Sequence, residues 1–384
     1  MNGVIQSIFY NNPDQYPPIV NSIRLLARAG YRVSLLCRDT GQNWQVAYPA
    51  EARLARLGTP GTGSWREYLT FVWQVLRQAD PQAQVFIGHD AHGLLPARLL
   101  AWRYQRPLIY HCHDYFDPRA PLALGGRLVR AFEFRLARTA QLVIVPDQER
   151  GAVVTGDLHL RRPPLIVANA PLNMPRGDGG VLQEAIAGHG RRFTQILFRQ
   201  GRVGAGHGLD MTIRSIPHWQ RREWGFIVMG VGEKSYLDHL TELAYACGVN
   251  EQFAYLPPVG YDQVAAFTSG AQAGHALYDP IHINNAHITT ASNKIMEYLA
   301  AGLPVLVSDR PALRALAETY QCGTCADERS PESIAAAVNV LLGDPEQARR
   351  WGQNGRQAFE DVFCYERQFA PVLEALKRFK IEKF

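Results

Sequence analysis

The 384-residue chain has no uninterrupted apolar run near the ~18 residues of a membrane-spanning helix. Its first residues lack the charged, apolar and small-residue succession of a secretory leader. Both absences predict a cytoplasmic protein. Cysteine is sparse, with six residues at 37, 112, 247, 322, 325 and 364. Only Cys322 and Cys325 have C-x-x-C spacing, and no second pair completes a zinc site, so reduced thiols are the simpler reading. Lysine is missing from the first 190 residues, which hold 20 Arg and 14 acids and so carry +6. The remainder has 20 basic and 21 acidic residues, a balance of −1. The excess suits an anionic partner or a membrane surface beside the N-terminal half. A formal charge of +5 over the whole chain is too little for nucleic-acid binding. No complete G-x-G-x-x-G follows any strand-like segment, which disfavours a nicotinamide-dependent dehydrogenase. Short-period repeats and low-complexity tracts are also absent.

What is present is ordinary for a globular protein: 47% hydrophobic and 20% charged residues, in a chain long enough for two cores. Strand-like and helix-like segments alternate. Strands are predicted at 4–10, 31–37, 84–88, 108–112, 141–145 and 165–167, with helices at 19–29, 94–104 and 127–138. After a Pro- and Gly-rich stretch at 172–192, read as a linker, strands recur at 195–198, 225–228, 253–256, 273–278 and 305–308. Helices follow at 331–342, 345–360 and 366–380. Such alternation implies parallel sheets covered by helices, an α/β fold of two doubly wound domains facing a central cleft at their strand ends. The predicted units are 1–171 and 193–362, with a last segment at 363–384.

The richest stretch is Ser292-Asn-Lys-Ile-Met-Glu-Tyr-Leu-Ala-Ala-Gly-Leu-Pro-Val-Leu-Val-Ser-Asp309. It reads as a helix ended by Gly302 and Pro304, followed by a buried strand. Lys294 and Glu297 share one helix face. They are either a surface ion pair or a ligand-facing pair in which Lys294 and the helix N-terminus hold phosphate and Glu297 accepts from a ribose diol. Gln200-Gly-Arg-Val-Gly-Ala-Gly-His-Gly-Leu209 is either a flexible turn or a loop whose amides approach a pyrophosphate, with Arg202 beside it. Met229-Gly-Val-Gly-Glu233 is a lone G-x-G. His111 and His113 alternate on a strand, so both point to one face. With His89 and Asp114 they suggest a metal hydrolase or, at a strand end, a ligand-facing cluster. Asp90 is read as an N-cap, with an acceptor contact as the alternative. Arg127, Arg130, Arg135 and Arg138 share one arc of a helix, either as a solvated face or as a membrane-surface contact.

The block S-N-K-I-M-E-Y-L-A-A-G-L-P-V resembles the donor-site helix of glycosyltransferase family 4, which is retaining and has the GT-B fold of two Rossmann-like domains. The likeness runs nearly the whole chain in order. Val85-Phe-Ile-Gly-His-Asp90 with Leu94-Leu-Pro-Ala97, Leu108-Ile-Tyr-His-Cys-His-Asp114, Ile166-Val-Ala-Asn-Ala-Pro171 and Phe363-Cys-Tyr-Glu-Arg-Gln-Phe369 carry it. The last is similar to the family's helix that crosses back to the N-terminal domain.

The resemblance implies a nucleotide diphosphate sugar donor (UDP-, GDP- or dTDP-linked) and a carbohydrate or lipid-linked acceptor, with no cofactor or metal. It gives Glu297 the ribose, and gives Arg202, Lys294 and the amides near Gly201 and Gly204 the diphosphate. Gly230 and Gly232 would give the nucleotide close access. His113 is implied to contact the donor sugar, while His111 is read as structural. Thr289 stands where the family has a first glutamate, and His207 where it has a second basic loop residue. Thr289, Thr290, Ser292 and Asn293 therefore cap the helix or meet the donor. Tyr10, Asn11, His89, Asp90 and Asp114 are read as the acceptor side. A peripheral contact of the basic N-terminal domain with the inner face of the cell membrane is compatible with that acceptor. The other readings are a non-catalytic nucleotide-sugar-binding module or partner subunit, and a nucleotide-sugar epimerase on the same fold.

Overall fold

The computed structural model describes residues 2–115 and 121–379, apart from 43, 45, 62 and 63. The chain divides into two compact units, Met1–Asn169 with Tyr365–Phe384, and Ala170–Cys364. Positions 380–384 of the predicted last segment lie outside the described residues.

The first unit holds seven strands: β1 (Val4–Phe9), β2 (Arg32–Arg38), β3 (Ala52–Leu57), β4 (Ala83–His89), β5 (Leu108–His111), β6 (Leu142–Val145) and β7 (Leu165–Ile166). Their order is β3-β2-β1-β4-β5-β6-β7, and the pairings are parallel. All six residues of the central β1 are buried, as expected where helices cover both faces of a parallel sheet. The strand order reverses between β1 and β4, which leaves an opening beyond their carboxyl ends.

The second unit repeats the plan. Strands β8 (Gln195–Gln200), β9 (Trp224–Met229), β10 (Phe253–Leu256), β11 (Ala273–Ala276), β12 (Val305–Ser308) and β13 (Gly323–Ala326) lie in the order β10-β9-β8-β11-β12-β13. The switch point falls between β8 and β11. Leu197, Phe226, Val228, Leu306 and Val338 are among the residues that fill its core.

Several elements exceed the sequence expectation, the helix Gln148–Asp157 among them. Strand β3 sits at the sheet edge and has arginine at every third position among mostly half-buried apolar residues, a weak hydrophobic signal. The helix Trp65–Arg77 starts at Ser64, whose side chain accepts from Glu67 N, so a capping box announced it. Strand β13 begins just after Cys322 and contains Cys325, and both are free thiols. The stretch read as a linker belongs instead to the second unit. Within it, the helix Gly180–Gly188 buries Leu182 and Ile186. These two apolar residues four apart outweigh the surrounding Pro and Gly.

The last helix, Tyr365–Phe379, is built into the first unit. Tyr365 donates to Pro18 O at 3.0 Å, and Gln368 accepts from Ala168 N at 3.0 Å.

The loop after β1 is fixed by a buried ion pair. Asp14 accepts from Arg56 at 2.7 Å and from Tyr48 at 2.9 Å, and Asn12 caps the short turn Pro13–Gln15. Arg56→Met strands the buried carboxylate and should cost roughly 3 kcal/mol. Scanning calorimetry would read this as an earlier transition of the first unit. An unchanged transition would show that the pair adds no stability.

Candidate active site

In the second unit the two Gly-rich segments sit at the carboxyl ends of β8 and β9. Gly201 N donates to Met229 O at 2.9 Å and Val203 N to Val231 O at 2.8 Å, so the two turns form one surface. Val203 also bridges to Gly232. Gly230 has φ +148°, and a Cβ there would lie 1.7 Å from Gly201 O, so no other residue fits. A Cβ on Gly201 would lie 2.9 Å from Lys294 Cε and 3.0 Å from Nζ. The lysine amine therefore rests on bare backbone. Gly204 has open space around it. Arg202 beside it is exposed, and among the described residues no hydrogen bond or ion pair holds it.

The helix Asn293–Ala301 forms the second wall. Ser292 caps it, accepting from Ile295 N, and shares a 2.6 Å hydrogen bond with the Tyr278 hydroxyl. Ile295, Met296, Tyr298 and Leu299 are buried, which turns Lys294 and Glu297 toward the loops. Glu297 accepts from Gln200 Nε2 at 2.8 Å. Burial lifts the Glu297 carboxyl to about 7, against the pull of Gln200 and Lys294. Burial also lowers the Lys294 ammonium. Thr289 Oγ1 and Asn293 Oδ1 are buried without a partner, and Thr290 is half-buried beside them. His207 lies between Gly206 (φ +83°) and Gly208 (φ +65°), its ring 5.7 Å from that of Tyr278. Burial, with Arg199, Lys294 and Arg202 nearby, pushes its pKa far down, so it is neutral.

An amine, a loop of bare amides and a hydrogen-bonded carboxylate thus converge. Such a set suits an anion joined to a diol. Gln200 and Tyr278 join the site without having been singled out in the sequence. Arg199, a charge inside an apolar strand, was the readable signal of a third.

In the first unit, His89, His111 and His113 form a buried stack. The His111 and His113 rings are 3.9 Å apart, on one face as the alternation predicts. His89 Nε2 meets Ser7 Oγ at 2.7 Å, and its Nδ1 meets His113 Nε2 at 2.9 Å. Nitrogens of the three lie within 4.8 Å of one another, so they are the residues that a metal would use. The direct His89–His113 hydrogen bond occupies two of those nitrogens. Burial lowers all three, His111 to about 3, which keeps them neutral.

Asp90 is not the N-cap. His89 holds that position without capping the helix through its side chain, while Asp90 is the first helical residue at φ +52°. Its carboxylate accepts instead from His113 N at 2.7 Å and Asp114 N at 3.1 Å, tying β4 to the end of β5. Buried Arg150, which sequence reasoning missed, donates to His113 O at 2.8 Å. Asp114 is exposed. Tyr10 stacks on His92 with ring centroids 5.4 Å apart and lies under Arg38. Asn11 accepts from Asn12 N and donates to Tyr16.

The comparisons with known proteins follow this geometry. The family described as "Glycosyl transferase 4-like domain" matches residues 19–169, and "Glycosyl transferases group 1" matches residues 194–358. A GDP-mannose-dependent alpha-(1-6)-phosphatidylinositol monomannoside mannosyltransferase of Mycobacterium tuberculosis is 30% identical over 156 residues, 39% of each chain. The match thus spans about two fifths of that relative's length. The enzyme of the same name from Mycolicibacterium smegmatis is 27% identical over 76% of this chain and 83% of its own. Anabaena Alr3699/HepE, solved with UDP and glucose, shares the fold with a TM-score of 0.74 at 14% identity, covering 97% of this chain and 99% of its own.

Beneath the histidine stack Glu133 is almost wholly buried and accepts from the Tyr110 hydroxyl at 2.5 Å. Burial lifts its carboxyl from 4.5 to about 7. The folded state therefore holds its proton more tightly than the unfolded state. Stability from this group is full below about pH 4.5 and is lost as pH rises through about 7, on the order of 3 kcal/mol. Glu133→Gln keeps an acceptor for Tyr110 and should reduce the slope of melting temperatures taken between pH 5 and 8, leaving the share of Glu297, which burial also lifts to about 7. A slope that persists unchanged would assign it to another group.

Proposed function

Because the chain belongs to family 4 of the GT-B glycosyltransferases through both of its domains, we propose that it moves a sugar from a nucleotide diphosphate sugar to a hydroxyl acceptor with retention at the anomeric carbon. The observation that carries this reading is the convergence of Lys294, the bare Gly201 backbone and Glu297 in the second unit. Glu297 accepts from the ribose hydroxyls, and Gln200 holds its carboxylate for them. Lys294, Arg202 and the amides near Gly201 and Gly204 stabilise the departing diphosphate, where most negative charge develops. The acceptor hydroxyl attacks from the face the diphosphate leaves, and a leaving-group phosphate oxygen takes its proton. Retention then needs no carboxylate nucleophile, and Glu297, the carboxylate of this pocket, is engaged elsewhere. GDP-mannose is the first donor to try, since the mycobacterial relatives are named for it. UDP-glucose is the second, since a HepE structure holds it.

The acceptor is a carbohydrate or a lipid-linked glycan, met by the first unit. There the adjoining helices Asp90–Tyr104 and Leu124–Leu136 expose Trp102 (71%) near the end of one and Leu124 (72%) and Leu128 at the start of the other, and also expose Arg103, Arg127 and Arg135. Solvent-facing apolar side chains on helices that also expose arginine suit the interface of an anionic bilayer. That contact would place the protein on the inner face of the cell membrane.

Two measurements test these statements. Titration calorimetry with GDP and UDP should show one of them binding, with affinity reduced by roughly tenfold to a hundredfold in Glu297→Ala. Wild-type affinity should also fall as pH drops through about 7, because a protonated Glu297 loses acceptor capacity. Binding of neither nucleotide by folded protein would sink the donor-site reading. For the membrane contact, the protein should sediment with phosphatidylglycerol vesicles and not with phosphatidylcholine vesicles. A Trp102→Ser, Leu124→Ser variant should stay in the supernatant. Equal sedimentation of variant and wild type would remove this face from the account.

A further inference from the structure

Arg199 lies on β8 inside the second unit and is 0% exposed. Its guanidinium stands 5.2 Å from the centre of the Tyr278 ring. One nitrogen, Nη1, donates to His275 O at a long 3.5 Å. The other two, Nε and Nη2, are buried with no hydrogen-bond partner. Among the described residues no carboxylate forms an ion pair with it. A guanidinium stays protonated in protein interiors. An unpaired buried charge is among the costliest groups a fold can hold, and interiors normally pair it.

The surroundings add to the imbalance. Lys294 is close enough to lower His207 and His275 alongside Arg199. Burial raises the Tyr278 phenol, yet Lys294 and Arg199 together bring it below its ordinary value. Glu297 is a carboxylate of this pocket, and burial lifts it to about 7, so it offsets only part of the positive charge. His207, whose ring also packs against Tyr278, is neutral. Arg199 and Lys294 together outweigh the Glu297 carboxylate, so positive charge predominates in the pocket.

We infer that Arg199 is a positioning and specificity residue of this site, a buried cation whose field selects a diphosphate and stabilises it as it departs. It works from behind the pocket wall, through Tyr278 and beside Lys294, without touching the ligand. The inference rests on the donor-site reading and goes beyond it. The strand, and not the exposed loop alone, supplies the field, and the cost of the unpaired guanidinium is offset when the anion arrives. The same field leaves an uncharged nucleoside unaffected, so the discrimination lies between phosphate charge states.

Arg199→Met tests this, since methionine fills a similar apolar path without the charge. Titration calorimetry with GDP, UDP and the matching nucleosides gives the affinities, and calorimetric melting without ligand gives the stability. The variant should bind the nucleoside as wild type does and lose roughly tenfold to a hundredfold in diphosphate affinity. Without ligand it should melt at the wild-type temperature or above, because an unpaired charge has been removed. Arg199→Lys should keep diphosphate binding within a few fold. Arg199→Met with His207→Arg places a cation on the other residue that packs against Tyr278 and should recover most of the loss. If Arg199→Met melts lower or fails to fold, or weakens nucleoside and diphosphate equally, the arginine is structural and the inference is wrong. Unchanged diphosphate affinity also overturns it. A wild-type protein that binds neither diphosphate refutes the donor-site reading instead, and that outcome is visible before any variant is made.

Discussion

The second unit depends on one close approach, where the backbone of Gly230 passes over the carbonyl of Gly201 with no room for a Cβ. This crossing lets the turns after β8 and β9 bond to each other, Gly201 to Met229 and Val203 to Val231. Once joined, they present a floor of bare amides rather than two separate mobile turns. Lys294 can rest on that floor only because Gly201 also has no side chain. Gln200, one residue earlier, is brought to Glu297 by the same geometry. A pyrophosphate needs such backbone access, and a loop that had to order itself on binding would forfeit affinity.

The histidine stack of the first unit and the cation pair of the second treat buried charge differently. In the first, burial drives ionisable groups toward neutrality: His89, His111 and His113 are lowered, and Glu133 is raised. Hydrogen bonds among uncharged partners then hold the stack together. In the second, Arg199 and Lys294 keep their charge because a guanidinium cannot lose its proton and the lysine starts from a high value. A low-dielectric interior favours neutral forms, so it produces the first result and makes the second costly. The first unit offers neutral donors and acceptors fit for hydroxyl groups, and the second offers a positive pocket fit for phosphate.

Much of this was legible in the chain. The central strands announce themselves as short apolar runs, and the helix Asn293–Ala301 carries its cap, its Gly302 stop and its Lys294 and Glu297 pair in plain view. The elements missed were those whose signal is diluted. Strand β3 is half-exposed and rich in arginine, and β13 is built of Gly, Thr, Cys and Ala. The helix Gly180–Gly188 was hidden by flanking Pro and Gly, although Leu182 and Ile186 gave it a buried stripe. Asp90 was misread because its cap position was judged locally, whereas its carboxylate bonds to amides twenty-three and twenty-four residues on.

Sequence alone determined the repeated strand–helix pattern, the donor-helix block and the one-sided charge, since these rest on local propensity, periodicity and composition. Tertiary structure decided which charges are buried and which groups meet. The His89–His113 bond, the Gln200–Glu297 bond and the unpaired guanidinium of Arg199 each join or isolate residues by how strands are ordered in a sheet. The physical reason is that pKa and hydrogen-bond satisfaction depend on the surrounding dielectric and on neighbours distant in sequence. A one-dimensional reading sees the residue types that can ionise, but the packing around them sets which ones do.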